Sequence, residues 1–163
     1  MTVAVTGRPL WAPFVLLAAT IVVADQLTKA WITRALAPDG TIDIVGEYLR
    51  LNYTQNSGAL FGLFRGQAAP FAVLSLVVIG LIVAYHGRSG RNPYMTLTLG
   101  LLLGGAIGNA IDRLRLNYVV DFVDAGIGNL RFYTFNLADS CITAAILLLL
   151  LLVLRPSLAG PRP

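Results

Sequence analysis

The chain has 163 residues, 56% of them hydrophobic and 12% charged, and a mean hydropathy of +0.74. Soluble domains of this length carry about 45–50% apolar and about 25% charged residues, so too little polar surface remains to coat a globule in water. A soluble enzyme, a disordered chain and a disulfide scaffold are excluded together, and the single Cys141 excludes an internal disulfide or a multi-cysteine metal site. The net charge of +4 does not point to nucleic acid, because the 12 basic residues are scattered without a run or stripe.

In chain order, four apolar stretches predict transmembrane helices at approximately 11–32, 68–85, 95–112 and 138–155, each near the ~20 residues that a bilayer-spanning helix needs. The tripeptide before Asp25, Val22-Val23-Ala24, resembles a signal-peptide cleavage site. The apolar pattern continues past it through Leu27, Ala30, Trp31 and Ile32, so this span is read as retained. The third span is rich in glycine, which suggests close approach of helices. The chain therefore reads as a single membrane domain over 1–163, all-α with longer segments at 33–67 and 113–137 on one side. All eight acidic residues lie within 25–47 or 112–139, whereas the two ends and the short connection at 86–94 carry Arg8, Arg88, Arg91, Arg155 and Arg162 without an acid. The positive-inside rule puts both termini and the short connection in the cytoplasm. On the other side, the alternation around Ile42, Ile44 and Leu49–Tyr53 predicts a small β-hairpin near the membrane surface. Leu130–Tyr133, after a Gly128-Asn129 turn, predicts a second extended stretch.

A carboxylate within an apolar span is costly, about 2.5–3.5 kcal/mol at mid-helix on insertion scales. Each such acid is therefore a candidate for either structural pairing or chemistry. Asp25 and Lys29 stand four apart and can form an ion pair near the end of helix 1. Asp112 and Arg113 close helix 3 with Asn109 on the same face, as a polar cap or as a site gripping a polar backbone. Asp139 opens helix 4 as an N-cap, and Asp121 lies among apolar neighbours in a connecting segment. Brought to one membrane border, Asp121 and Asp139 could not both ionise cheaply. The ionised member would then deprotonate a water while the protonated one polarised a carbonyl, which is amide hydrolysis without a covalent nucleophile or a metal. The helix N-terminus favours charge on Asp139, and the apolar neighbours favour the proton on Asp121.

Other chemistries are poorly supplied. The only histidine, His86, falls in the short connection away from the acids, and Cys141 has no histidine beside it. A Ser-Lys pair would need Lys29 with Ser57 or Ser140, which nothing in the pattern specifies. Gly104, Gly105 and Gly108 sit in a span and not in a phosphate-binding loop. A small proton-coupled transporter and a non-catalytic scaffold remain open on spacing alone, the first being disfavoured because the acids lie towards one side and not at mid-span.

The blocks DQLTK (25–29), NSGALF (56–61), GGAIGNAIDR (104–113), VVDF (119–122) and FNLAD (135–139) together resemble the lipoprotein signal peptidases, the bacterial signal peptidase II family. Leu60 stands where that family more often has a smaller residue, and Tyr133-Thr134 replaces an aromatic-proline pair. The resemblance implies an aspartyl endopeptidase of the bacterial inner membrane with its site near the extracytoplasmic face. It implies cleavage of diacylglyceryl-modified prolipoproteins just before the lipidated cysteine. The implied catalytic pair is Asp121 and Asp139. The implied substrate-binding positions are Asn56, Gly58, Asn109, Arg113, Asn136 and Ala138; Asn56, Asn109 and Arg113 match positions that contact substrate or the cyclic peptide inhibitor globomycin. Asp25, Lys29, Gly108 and Asp112 are implied as support. No metal or organic cofactor and no nucleic acid partner is implied; the expected partners are the prolipoprotein and membrane lipid, with the chain acting as a monomer. The glycine-rich face of helix 3 is expected to leave room for a substrate helix, Ala138 to leave space for extended substrate backbone, and the 41–53 hairpin to cover the substrate.

Overall fold

The computed structural model describes residues 8–58, 68–89 and 92–156; Leu60, Arg91 and Arg162, together with 59–61 of the NSGALF block, lie outside the described residues. Four helices are long and apolar enough to cross a membrane: α1 (Trp11–Leu36), α2 (Ala68–Ser89), α3 (Pro93–Leu116) and α4 (Leu137–Leu154). Strands β1 (Thr41–Val45), β2 (Leu49–Asn56), β3 (Val119–Ile127) and β4 (Leu130–Arg131) form one antiparallel sheet in the order β1-β2-β3-β4. Both expected extended stretches are present, with Gly128 in the left-handed region at φ +55° in the turn between β3 and β4. The sheet is larger than a hairpin, because β3 pairs along β2 from Leu49↔Ala125 to Asn56↔Val119.

The helices run beyond their apolar cores. α1 continues past Ile32 to Leu36 because Ile32 and Leu36 are buried against Val120 and Phe122 of β3. The Asp25–Lys29 pair thus lies well inside α1, not near its end. α2 carries on through His86, which is not a loop residue: it is fully buried, with its ring stacked on Phe14 at 3.8 Å and edge-on to Trp11. A flat imidazole presents enough apolar surface to be covered in this way. α3 begins with Asn92 as N-cap, its side chain accepting from the Tyr94 and Met95 amides at 2.8 and 3.1 Å, and ends at Asn117 in the left-handed conformation.

α3 is the centre of the bundle, with 56% of its spanning window buried against 17–22% for the other three. Glycine is the reason. A Cβ built on Gly104 would lie 2.7 Å from Ile21 Cβ and 3.1 Å from the Ala18 carbonyl, and one on Gly105 would lie 2.5 Å from the Ala138 carbonyl. The glycine face is therefore filled by α1 and α4 of the chain itself, which corrects the expectation that it leaves room for a substrate helix. α1 answers with a single buried stripe of Phe14, Ala18, Ile21, Asp25, Lys29, Ile32 and Leu36, at helical spacing. Gly104→Ala is expected to lower stability by about 1–3 kcal/mol through overpacking. Gly80→Ala, where nothing lies within 4 Å, should leave it unchanged or raised; thermal unfolding of both variants in detergent checks the contrast.

Candidate active site

At one end of the bundle α1, α3, the start of α4 and β3 converge on a cluster of buried polar groups. Lys29 Nζ contacts Asp25 Oδ2 at 2.8 Å, Asp112 Oδ2 at 2.9 Å and Asn109 Oδ1 at 3.1 Å. Those contacts use all three ammonium protons, so no Ser-Lys pair forms; Ser140 instead donates to the Asn136 carbonyl at 3.0 Å. Gln26 Nε2 donates to Asp112 Oδ1 at 3.0 Å and to the Gly108 carbonyl at 3.2 Å. Asp112, a carboxylate near a helix C-terminus that needs Arg113 or another donor, therefore finds its side-chain donors in Lys29 and Gln26. Arg113 turns away, its guanidinium lying 5.9 Å from the Phe71 ring centroid. Gly108 admits Asp25, since a Cβ there would fall 2.6 Å from Asp25 Oδ2.

The two acids read as a pair meet through asparagines. Val120 and Phe122 of β3 face α1, so the alternation of the strand sends Asp121 to the opposite face. There Asp121 Oδ1 accepts from Asn136 Nδ2 at 2.6 Å and Oδ2 from Asn56 Nδ2 at 2.9 Å. Asp139 Oδ1 accepts from Asn109 Nδ2 at 2.8 Å. The N-cap of α4 is Asn136 and not Asp139: Asn136 Oδ1 accepts from the Asp139 amide at 2.9 Å, while Asp139 Oδ2 accepts from the Asn136 amide at 3.3 Å, a capping box. Asn136 thus touches both acids at once. Burial, and then the charge of Asp139, push the Asp121 carboxyl up to about 7, against the opposing pull of the Asn56 and Asn136 hydrogen bonds and of Lys29.

Two cavities meet at this pair. One of about 340 Å³ lies between α2, α3 and α4; its wall is mainly Phe71, Leu74, Val78, Leu102, Ala106 and Ile142, with Asn109, Arg113 and Asp139 at the polar end. A second of about 620 Å³ follows the sheet and is lined by Thr54, Gln55, Ser57, Gly58, Asp121, Arg131, Phe132 and Thr134. Asn56 and Tyr133 line both. Asn136 and Ala138, expected among substrate contacts, are instead fully buried and line neither cavity. The Ala138 methyl packs against α3, so the space expected beside Asp139 is already occupied by protein. Sequence reasoning missed Gln26, Phe71 and the double lining by Tyr133. Only Gln26 left a signal, as a polar side chain inside an apolar span. Among the described residues, no group of three or more His, Cys, Asp or Glu side chains is arranged to hold a metal ion.

Residues 17–155 match the family model for signal peptidase (SPase) II. The chain belongs to the signal peptidase II family. As a member it is a peptidase, and the four apolar helices make it a multi-pass membrane protein. It is similar to the lipoprotein signal peptidase of Syntrophomonas wolfei, 40% identical over 144 residues covering 88% of this chain and 91% of that one. It is equally similar to that of Moorella thermoacetica, 40% identical over 146 residues covering 89% and 95%. A bacterial membrane enzyme solved by the in meso method at 2.3 Å superposes with a TM-score of 0.86, at 27% identity and covering 96% of each chain. A second, solved at 1.9 Å, gives 0.83 at 28% identity, covering 93% of this chain and 98% of that one.

Outside the bundle, Asp124 ties the sheet of this peptidase together. It accepts from Arg50 Nη2 at 2.9 Å and from Arg131 Nε at 2.9 Å, and Arg131 Nη1 reaches the Glu47 carbonyl at 2.7 Å. Burial alone would raise the Asp124 carboxyl; the hydrogen bonds and charges of Arg131 and Arg50 outweigh it and hold the group below the usual carboxylate range. A depressed carboxylate contributes stability that is present above its unfolded pKa, about 3.9, and lost as pH falls through the lower folded value. Asp124→Asn should therefore flatten the acid limb of a stability-versus-pH curve below about pH 4, read by urea unfolding in detergent at a series of pH values.

Proposed function

We propose that this peptidase removes signal peptides from diacylglyceryl-modified prolipoproteins by cutting just before the lipidated cysteine, with Asp121 and Asp139 as its catalytic pair. The observation that carries the reading is the convergence of these two acids, from a strand and a helix start, at the junction of an apolar groove and a polar cleft. A substrate made of an apolar signal segment, a lipidated cysteine and a polar mature chain has the same division of character. The groove between α2, α3 and α4 takes the apolar part, and the cleft along the sheet takes the polar chain that follows the cysteine. Asn56, Asn109 and Arg113 line the groove where peptide backbone would pass, and Gly58 lines the cleft; amide and guanidinium groups suit the carbonyls found there.

Asp121, with its carboxyl pushed up to about 7, holds the proton of the pair, and Asp139 at the N-terminus of α4 carries the charge. The Asp139 carboxylate takes a proton from water as the water oxygen attacks the scissile carbonyl carbon. Asp121 gives its proton to the carbonyl oxygen, producing a neutral gem-diol. On collapse the C–N bond breaks, Asp139 passes its proton to the departing cysteine nitrogen, and a gem-diol hydroxyl returns a proton to Asp121. The step is complete with water alone and calls on no metal or organic cofactor. Relatives that are lipoprotein signal peptidases and the arginine distribution support a bacterial inner membrane enzyme, with both termini cytoplasmic, the sheet and the acid pair on the extracytoplasmic side, and the chain active as a monomer.

Purified protein in lipid should cleave a diacylglyceryl prolipoprotein before its modified cysteine, without inhibition by chelator. Asp121→Asn and Asp139→Asn, shown to be folded, should each lose at least about 10³-fold in kcat, the scale for removing a group that transfers a proton in the transition state. A folded variant retaining near wild-type activity overturns the pair. Because Asp121 acts as the acid, kcat/KM should fall as pH rises through about 7; a rate that climbs through that range overturns the assignment of the proton to Asp121.

A further inference from the structure

The Lys29 cluster ends, in two directions, one residue short of the acid pair. Asp112 Oδ2 accepts from the Val120 amide at 3.1 Å, and Val120 precedes Asp121. Asp25 Oδ1 accepts from the Ala138 amide at 3.1 Å, and Ala138 precedes Asp139. Asp25 stands on α1 and Asp112 on α3, yet both are ion-paired to the same ammonium. Resting on the catalytic reading above, we propose that Asp25, Lys29 and Asp112 form a two-armed clamp that sets the distance and aim of the reacting carboxylates. One arm holds the strand at Val120 and the other holds the helix start at Ala138.

Three physical points favour a positioning role over stability alone. Both amides would otherwise be orphan donors, one of them in the first turn of α4, and a charged acceptor fixes an amide more firmly than water does. The arms are anchored in two different helices, α1 and α3, which meet at Lys29, so neither acid can move with its own segment without stretching a contact to that ammonium. Lys29 has no proton to spare, so it serves as neither acid nor base; it holds its partners and places its charge near Asp121. Gln26 stiffens the junction from the side by donating to Asp112 and to the Gly108 carbonyl.

The two arms are separable by experiment in the full chain, reconstituted in lipid with a diacylglyceryl prolipoprotein as substrate. Asp112→Asn and Asp25→Asn keep shape but lose the charge that grips the amide. Each is expected to lower kcat by about 10²-fold, the cost of a misplacement near 1 Å, with KM unchanged. The pH profile then distinguishes the arms. Asp121 is surrounded by Asp139 on α4, Lys29 on α1, Arg113 on α3, Tyr133 between β4 and α4, and the amides of Asn56 and Asn136. Asp112→Asn should move the basic limb that Asp121 sets, and Asp25→Asn should leave that limb in place. In the wild-type protein the Val120 and Ala138 amide protons should exchange slowly and resonate downfield of their neighbours, a measurement independent of whether the variants fold. Rapid exchange at either amide, or folded Asn variants with kcat within about twofold of wild type, or a loss confined to KM, overturns the clamp. If Asp121→Asn and Asp139→Asn are inactive while Asp25→Asn and Asp112→Asn are fully active, only the clamp fails; if a folded dyad variant remains active, the catalytic reading fails first.

Discussion

A lysine ammonium buried to 3% exposure is the constraint around which this molecule is arranged. Taking that charge out of water costs several kcal/mol unless strong partners surround it. Two carboxylates and an asparagine carbonyl do so here, from two helices, and the excess negative charge is met by Gln26 and two backbone amides. Removing one member of such a set typically destabilises by about 3–5 kcal/mol, because the remainder stays buried and unpaired. The cluster consequently fixes where α1, α3, α4 and β3 can lie relative to one another, and the acid pair inherits that placement.

Close helix packing makes the cluster possible. Asp25 reaches Lys29 and the Ala138 amide only because Gly108 has no side chain, and α4 approaches α3 as closely as Gly105 allows. α1 and α4 occupy the glycine face, so the open space in the bundle falls elsewhere, between α2, α3 and α4. That space is walled mainly by apolar side chains and ends at Asn109, Arg113 and Asp139. Glycine in place of larger residues thus closes one side of α3 and leaves the apolar cavity on the other.

The sheet depends on the bundle as much as the bundle depends on the cluster. Ile32 and Leu36, at the end of α1, form one core with Val120 and Phe122 of β3, so the strand that bears Asp121 is seated on the extended helix. Its outer part is held by a different device, the two arginines converging on Asp124. Solvent reaches those arginines, so salt screens their attraction to Asp124 far more than it screens the ion pairs of the buried lysine.

Composition and hydropathy alone determined that this chain crosses a membrane four times, because a bilayer demands about 20 apolar residues per helix whatever the fold. Local pattern also revealed the Asp25–Lys29 pair, four apart on a helix, and both extended stretches with their turn at Gly128-Asn129. What spacing could not determine was partnership across the chain. Asp112 pairs with a lysine 83 positions earlier and not with adjacent Arg113, and Asn136 displaces Asp139 from the cap so that Asp139 can face Asn109. The role of His86 and the burial of Asn136 and Ala138 were hidden for the same reason: a residue's partners are set by which helix faces it, and that is a property of packing. The acids were legible as costly groups needing an explanation; only the tertiary structure decided which of them pair, because only close packing brings charges from distant segments within hydrogen-bonding reach.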